Sequence, residues 1–196
     1  EGTPSLATLR SDADAFYREL PAILRARGQA WPPAAQLVLM GHSLGALVAL
    51  HLLALHADEI RAIILLAASV CHWPMENVSG MSWDLLSEHL PPLHTADRNL
   101  SHCYCCRAGR HVQRRREKVW LDPVDLACCI DVPLLVVHGT KDWVCPPEQV
   151  EAVFDAAATT DKELFWIEGD HNIAHKSSTY LPVFRRFLAG LEGGKP

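Results

Sequence analysis

The sequence has no apolar run long enough to cross a membrane. Its longest apolar stretches, such as residues 44–50 and 63–68, fall well short of the roughly 20 residues that a membrane-spanning helix needs. No basic segment followed by an apolar one, the pattern of a signal peptide, stands at its start. Because the first residue is Glu1 rather than Met, we expect the natural N-terminus to lie upstream of this chain.

The chain also lacks an excess of basic residues. It carries 18 lysines and arginines against 23 aspartates and glutamates, which gives a formal charge of −5 and a pI near 6.1. This balance argues against attraction of the whole surface to nucleic acid or anionic lipid, and we expect no nucleic-acid partner. With 49% apolar and 21% charged residues, the composition excludes disorder and a coiled coil. A length of 196 residues is enough for one domain with a sizeable core.

The seven cysteines are an odd number, and four of them form the adjacent pairs 105–106 and 128–129. Neighbouring cysteines rarely form two separate structural disulfides, and a core of this size does not need them. We therefore predict reduced thiols and a cytoplasmic location. Two glycosylation sequons, residues 77–79 and 99–101, favour the alternative of a secreted chain.

Apolar residues recur with the spacing of helices and of buried strands in turn. We predict strands over residues 36–40, 60–66, 132–138 and 163–167. We predict helices over residues 5–28, 46–56, 148–158 and 178–188. Pro21 falls within the first helical pattern and should kink or divide that helix. Strands that alternate with helices imply an α/β fold, in which a parallel sheet carries helices on both faces.

Residues 71–130 contain no strand signal. About 60 residues are too many for a plain connection between two strands, so we predict an inserted helical cap or lid. The predicted core domain then consists of residues 1–70 and 131–196, and residues 71–130 form the cap.

Gly41-His42-Ser43-Leu44-Gly45 lies between a predicted strand and a predicted helix. A G-x-S-x-G pattern in this position is typical of the nucleophile elbow, a tight turn that lifts a serine hydroxyl above the end of the sheet. We expect glycine at both flanking positions because larger side chains would collide with neighbouring backbone. Ser43 would then be the nucleophile, and the backbone N–H of Leu44 would stabilise a developing oxyanion from the start of the following helix.

A serine nucleophile needs a base, and the base needs an acid that orients it. In a fold with such an elbow the chain order is serine, then Asp or Glu, then His. Asp142 lies in the loop after the predicted strand 132–138, and His171 lies in the loop after the predicted strand 163–167. Both would therefore lie at the carboxyl ends of parallel strands, as Ser43 does. We predict that these three residues form a catalytic triad.

Other residues near these positions are weaker candidates. His175 could replace the triad histidine only if the loop runs differently, and the side chain of Asp170 should point elsewhere because it adjoins that histidine. Asp122 and Asp125 belong to the end of the predicted cap. We expect His42, inside the elbow, to pack beneath the nucleophile rather than to act as a base.

With these motifs the sequence resembles the α/β-hydrolase superfamily. Residues 41–45 resemble its elbow, residues 133–142 its acid-bearing strand and loop, and residues 169–171 its histidine loop. Within the superfamily the chain is most similar to serine hydrolases with a lid, the monoacylglycerol-lipase and carboxylesterase-like group. The resemblance implies hydrolysis of a carboxylic ester, of a lipid or a small acyl group, through an acyl-enzyme on Ser43. The histidine would move the proton and the aspartate would hold its tautomer, with no metal and no organic cofactor.

The chain departs from this superfamily in front of the elbow. Only about 40 residues precede Ser43, and they contain neither the usual strands nor the loop that supplies a second oxyanion donor. Residues 37–40 would then form an apolar edge strand, and the loss of one oxyanion donor costs about 100- to 1000-fold in rate. We therefore expect the C-terminal part of a longer hydrolase, or a shortened form of one. The alternative function is that of a non-catalytic hydrolase-like binding protein or an inactive truncated isoform.

The predicted cap carries two further signals. Cys103 and Cys106 form a C-x-x-C pattern, but without a convincing second pair of ligands it does not predict a zinc site. Basic residues between positions 107 and 118 are more typical of a solvated helix face than of an anion-binding patch. Together with apolar residues such as Trp83 and Leu86, they would let the lid touch a membrane surface and favour an acyl-lipid substrate. A second enzymatic alternative is haloalkane-type or peroxidase-type chemistry. Dehalogenation normally needs Asp at the nucleophile position, and Ser43 argues against it.

Overall fold

A computed structural model describes residues 6–31, 36–68 and 126–193 of the chain. Most of the predicted cap lies outside these residues, and so do its cysteine-rich and arginine-rich segments and the candidates Asp122 and Asp125. The end of the predicted cap is described, and there Leu126, Ala127 and Ile130 are buried in the core.

Four parallel strands form one sheet in the order β1-β2-β3-β4. The strands are β1 (Leu37–His42), β2 (Ile60–Leu66), β3 (Leu134–Gly139) and β4 (Lys162–Ile167). All pairings between neighbours run in parallel, which confirms the predicted α/β fold. β1 stands at an edge of this sheet, where no other described strand covers it, as predicted for its apolar residues.

Four helices accompany the strands. They are α1 (Leu6–Ala26), α2 (Leu44–His56), α3 (Pro147–Ala156) and α4 (Ser177–Glu192). Pro21 lies inside α1, which continues through it as one helix. Of the two predicted outcomes the division is wrong, and the kink stays a prediction. α1 packs against α2, although Pro21 removes one backbone hydrogen bond from the helix. No helix in the three described ranges has the length and apolar character required to span a bilayer.

Side chains of the central strands alternate between two apolar layers. Ile63 and Leu65 of β2 face the layer that α1, α2 and α3 cover. Ile64 and Leu66 face the opposite layer, which α4 covers. Helices therefore lie on both faces of the sheet, as predicted. Truncation of a buried leucine such as Leu65 to alanine typically costs about 2–5 kcal/mol, so these two layers anchor the strand ends that carry the site.

Hydrogen bonds tie the strand ends together along one rim of the sheet. The residue that follows each of the first three strands donates its N–H to a carbonyl near the end of the next strand. These bonds run from Ser43 to Leu66 (3.0 Å), from Ala67 to Val137 (2.9 Å) and from Thr140 to Ile167 (2.9 Å). The rim therefore holds the loops after β1, β3 and β4 in a fixed relation, and these loops carry the predicted triad.

Candidate active site

Ser43 lies in the turn between β1 and α2 with a φ of 52° and a ψ of −123°, a region that non-glycine residues rarely adopt. Such a conformation costs about 1–3 kcal/mol and persists where the surrounding structure enforces it. Here the carbonyl of Leu66 accepts the N–H of Ser43, and the carbonyl of Ser43 accepts the N–H of Ala46. The turn has the strained geometry that the elbow pattern predicts.

Two glycines flank the serine, and the structure requires one of them. A Cβ atom on Gly41 would lie 2.3 Å from the carbonyl oxygen of Gly45 and 2.5 Å from the Cα of Ala46. A Cβ atom on Gly45 would meet no described atom within 4 Å, so the predicted collision at this position is wrong. The two positions differ because the first turn of α2 folds back over Gly41, whereas no atom of the described residues comes that close to the Gly45 position.

The side chains of Ser43, His171 and Asp142 form a continuous hydrogen-bonded chain. Ser43 Oγ lies 2.9 Å from His171 Nε2, and His171 Nδ1 lies 2.8 Å from Asp142 Oδ2. The structure thus brings together three residues that are separated by 128 and 29 positions in the sequence. An ionised aspartate that accepts the Nδ1 proton leaves the lone pair of Nε2 facing the serine hydroxyl, which is the tautomer that can accept its proton.

Asp142 is buried, and its two carboxylate oxygens have different partners. Oδ1 accepts the backbone N–H groups of Val144 at 3.0 Å and Cys145 at 2.8 Å, while Oδ2 faces His171. Burial by itself raises the pKa of Asp142, but the hydrogen bonds from His171 and from the Cys145 backbone outweigh it, so that the pKa is lowered. The carboxylate is therefore charged at neutral pH.

The environment of His171 favours its protonated form. Hydrogen bonds with Asp142 and then with the thiol of Cys145 raise the pKa of His171 to about 10, against the opposing effect of burial. An imidazolium stabilised in this way is what a base becomes once it has taken up a serine proton. The side chain is 20% exposed, so the ring is accessible from the rim.

A glycine that the sequence analysis did not single out sets the approach of the acid loop to the histidine loop. A Cβ atom on Gly139 would lie 2.3 Å from the carbonyl oxygen of Asp170 and 2.6 Å from that of Gly169. The N–H of Lys141 donates to the same Gly169 carbonyl at 2.8 Å. The two loops therefore pack backbone to backbone, which fixes the separation of acid and base.

The weaker candidates take no part in the hydrogen-bonded chain. The ring of His42 is exposed, with its centroid 6.1 Å from that of His171. The prediction that it packs beneath the nucleophile is wrong, because it occupies the last position of an edge strand, where no described neighbour covers it. His175 is exposed in the turn Ile173–Lys176, and Asp170 Oδ1 accepts the N–H of Asn172 at 2.9 Å.

Leu44 is the first residue of α2. Its N–H therefore belongs to the donors that a helix cannot satisfy from within, at the end where the helix dipole is positive. This is the place predicted for an oxyanion donor. Among the described residues that precede β1, α1 fills most of the chain, and no strand-to-helix loop offers a second donor.

The sequence matches a hydrolase family, described as Serine aminopeptidase, S33, over residues 3–124 and 104–176. These matches cover most of the chain and include all three residues of the predicted triad. The chain belongs to this family. The membership confirms the resemblance to α/β hydrolases that the elbow, acid and histidine motifs indicated. No curated protein sequence matches the chain.

Solved structures of similar fold agree with this family. A monoacylglycerol lipase from Paleococcus ferrophilus has a TM-score of 0.52 at 18% identity, over 90% of this chain and 75% of its own. An esterase from Thermogutta terrifontis has a TM-score of 0.56 at 17% identity, over 91% and 72%. A cold-adapted esterase from an Arctic intertidal metagenomic library has a TM-score of 0.50 at 15% identity, over 89% and 56%. At these identities the likeness shows the fold, and the chain spans just over half the length of the Arctic esterase.

Two further buried side chains, His138 and Cys145, adjoin the candidate site, and the sequence analysis assigned a role to neither. His138 Nε2 donates to the carbonyl oxygen of Cys145 at 2.8 Å and lies 3.3 Å from Asp142 Oδ2. Burial lowers the pKa of His138, so its ring is neutral. Ligand atoms of Asp142, Cys145 and His171 lie within 4.8 Å of one another, close enough to hold a metal ion. Proximity to Asp142 in the sequence is the signal that could have found both residues.

Proposed function

We propose that the chain is a serine hydrolase that cleaves carboxylic esters through an acyl-enzyme on Ser43. The observation that carries the proposal is the hydrogen-bonded chain from Ser43 Oγ to His171 Nε2 and from His171 Nδ1 to Asp142. A hydroxyl, a base and an acid in that order are what general-base activation of a serine requires. Membership of a hydrolase family supports the reaction class.

In the first half of the reaction, neutral His171 takes the proton of the Ser43 hydroxyl through Nε2 while Oγ attacks the ester carbonyl carbon. The negative charge that develops on the carbonyl oxygen is stabilised by the N–H of Leu44 and the dipole of α2. When the tetrahedral intermediate collapses, the bond to the leaving alcohol breaks and its oxygen takes the proton from His171. The acyl group stays on Ser43.

In the second half, water takes the place of the alcohol. His171 accepts a proton from the water while the water oxygen attacks the acyl carbon, and the second collapse returns the proton to Ser43 and releases the carboxylic acid. Asp142 stays ionised throughout and stabilises the imidazolium. Replacement of the aspartate in a triad of this type by asparagine typically costs about 10⁴-fold in kcat.

The substrate class that we propose is an ester of a small or medium acyl group, with an acyl lipid as one candidate. Neighbours described as an esterase and as a monoacylglycerol lipase support ester chemistry. Trp143 and Leu44, next in the chain to two triad residues, are exposed among the described residues and offer apolar surface for an acyl chain. Contact of the lid with a membrane surface and a cytoplasmic location stay predictions.

Covalent labelling with a fluorophosphonate probe tests the nucleophile. We expect the folded chain to be labelled at Ser43, located by mass spectrometry of its peptides, and Ser43→Ala to abolish the labelling. Ser11→Ala, which removes an exposed hydroxyl on α1, is the matched control and should label as the unaltered chain does. A folded chain that is not labelled would contradict the proposal and favour the non-catalytic binding protein.

A comparison of substrates tests the ester specificity. Aryl esters of increasing acyl length, assayed beside amino-acid arylamides with the same chromophore, should show a higher kcat/KM for the esters. Ser43→Ala should remove both activities, because both reactions would pass through the same acyl-enzyme. A higher kcat/KM for the arylamides would contradict the ester specificity. The chain would then be an amide hydrolase with Ser43 still as its nucleophile.

A further inference from the structure

We propose that Asp142, Cys145 and His171 form a binding site for a borderline-soft divalent metal ion, Zn²⁺ or Cd²⁺, which inhibits the hydrolase when bound. Each residue contributes one ligand atom, and these atoms lie within 4.8 Å of one another. Binding of the ion needs these three side chains but does not depend on the proposed function. The inhibition rests on the proposed function, because it acts through the base that activates Ser43.

The donor set selects the class of metal. A thiolate, an imidazole and a carboxylate are all ligands that Zn²⁺ accepts, and three protein ligands with one water complete its usual tetrahedral shell. Cd²⁺ is a softer ion that a thiolate also suits. Mg²⁺ and Ca²⁺ take oxygen ligands instead, so the sulfur of Cys145 and the nitrogen of His171 select against them.

The spacing of the ligands requires small movements. His171 Nδ1 and Asp142 Oδ2 are 2.8 Å apart, whereas two ligand atoms about 2.1 Å from a tetrahedral ion are about 3.4 Å apart. Entry of the ion thus opens this pair by about half an ångström and draws the sulfur of Cys145 towards it. The ion occupies the place of the proton that the pair now shares.

The surrounding contacts hold two of the ligands in place. Asp142 Oδ1 already accepts the N–H groups of Val144 and Cys145, which leaves Oδ2 for the ion. His138 Nε2 donates to the carbonyl of Cys145 and so fixes the residue that carries the thiol. Contacts of this outer kind orient the ligands of metal sites in general.

The inhibition follows from the protonation of Cys145 and His171 once the ion is bound. The thiol of Cys145 gives its proton to solvent, and Asp142 is already ionised, so the two negative ligands balance the charge of the ion. The protonated ring of His171 gives its Nδ1 proton to solvent as well, because Nδ1 binds the ion, and it keeps the proton on Nε2. Nε2 faces Ser43 Oγ at 2.9 Å, and a protonated Nε2 cannot accept the serine proton.

Cadmium absorption tests binding without any use of the activity. Cd²⁺ is added to the full chain, and the ultraviolet absorption of the cadmium–thiolate bond is recorded. The chain has seven cysteines, so the informative quantity is the difference between variants. Cys145→Ser should lose the absorption of one thiolate, whereas Ser43→Ala, which keeps all three ligands, should match the unaltered chain. Equal absorption with and without the Cys145 thiol would overturn the proposal.

Zinc-dependent labelling tests the inhibition. Zn²⁺ should slow fluorophosphonate labelling of Ser43, a chelator should restore it, and Mg²⁺ at the same concentration should have no effect. Cys145→Ser should need more than about 100-fold more Zn²⁺, since the loss of even an outer contact of a metal site costs 10- to 100-fold in affinity. Cys129→Ser, at a partly buried cysteine outside the site, is the matched control and should respond as the unaltered chain does.

The two measurements separate the possible failures. A chain that is never labelled, even without metal, contradicts the proposed function, while the cadmium absorption still decides the metal site. If Cys145→Ser does not fold, Cys145→Ala and the partly exposed His171→Asn replace it, and both should weaken cadmium binding. Zinc that inhibits the unaltered chain and the Cys145 variants at the same concentration would overturn the assignment of these ligands.

Discussion

Gly139 lies so close to the carbonyl oxygen of Asp170 that a Cβ atom on the glycine would approach it to 2.3 Å. This contact joins the end of β3 to the loop after β4. Asp142 follows the end of β3 and His171 lies in the loop after β4, so this contact helps to set the distance between the two side chains. The absence of a side chain at Gly139 therefore allows the two loops to pack this closely.

Gly139→Ala should displace the histidine loop, because the atoms in its way are backbone rather than the end of a flexible side chain. A misplacement of about 1 Å at a catalytic group costs about 100-fold in rate, and an overpacked site costs about 1–3 kcal/mol of stability. Labelling kinetics at Ser43 and urea unfolding measure the two effects. Gly190→Ala, where a Cβ atom meets no described atom within 4 Å, should leave the labelling rate unchanged and should not lower the stability, because alanine favours a helix over glycine. Labelling of Gly139→Ala at the unaltered rate would refute the role of this contact.

The two glycines of the elbow should differ in their tolerance of a methyl group. Gly41→Ala places Cβ within 2.6 Å of three backbone atoms, so we expect loss of labelling and a destabilisation of about 3 kcal/mol. Gly45→Ala places a Cβ atom near the start of α2, where no described atom lies within 4 Å, and should leave the stability within about 0.5 kcal/mol. Paired unfolding curves and labelling rates provide the comparison. Equal damage from the two substitutions would show that the elbow geometry differs from that described.

Ser43→Gly should be more stable than Ser43→Ala. Both variants remove the hydroxyl, but the φ of 52° at this position strains any residue with a Cβ atom and leaves glycine unstrained. After the greater entropy loss of glycine on folding is subtracted, the relief should amount to about 1 kcal/mol. Denaturant midpoints of the two variants measure it. An alanine variant as stable as the glycine variant would mean that the turn carries no such strain.

Labelling of Ser43 should become faster as the pH rises through the pKa of His171. Only the neutral ring accepts the serine proton, and hydrogen bonds with Asp142 and Cys145 raise this pKa above its ordinary value of 6.5. Cys145→Ala removes the second of these contacts, so the midpoint of the rate profile should move to lower pH. Rates measured from about pH 6 to 11 with a chelator present test the shift. An unmoved midpoint would exclude a contribution of the thiol.

The pair formed by Asp142 and His171 should stabilise the fold in a limited range of pH. The raised pKa of His171 contributes stability that is complete below its unfolded value of 6.5 and is lost as the pH rises towards about 10. The lowered pKa of Asp142 contributes stability that is present above its ordinary value of 3.8 and is lost as the pH falls through the folded value.

Asp142→Asn should therefore lower the free energy of unfolding more at about pH 6 than at about pH 9. Urea unfolding of both chains at the two pH values gives the difference directly. Asp170→Asn alters an exposed carboxylate outside the pair and should show no such dependence. If Asp142→Asn lowers the free energy of unfolding equally at both pH values, Asp142 does not raise the pKa of His171.

Local patterns in the sequence were enough to predict the strands, the helices and the elbow. Buried parallel strands are continuous apolar runs, and β2 has the bounds that its run predicts, Ile60–Leu66. The order of Ser43, Asp142 and His171 places all three just beyond strand ends, and parallel strands end at the same rim. Their approach to hydrogen-bonding distance in the structure follows from that topology, while their catalytic role stays a prediction.

Contacts between segments distant in the chain, by contrast, were decided by the tertiary structure. Gly41 and Gly45 look equivalent in the motif, and only the fold of α2 over one of them makes that glycine necessary. In the sequence Gly139 only follows a predicted strand. Its close contact with the loop after β4 is visible only in the structure. The burial of Cys145 and its contact with His171 are likewise absent from any local pattern. Periodicity reports which face of an element is apolar, but the distance between two side chains depends on how the elements pack, and that is a property of the whole fold.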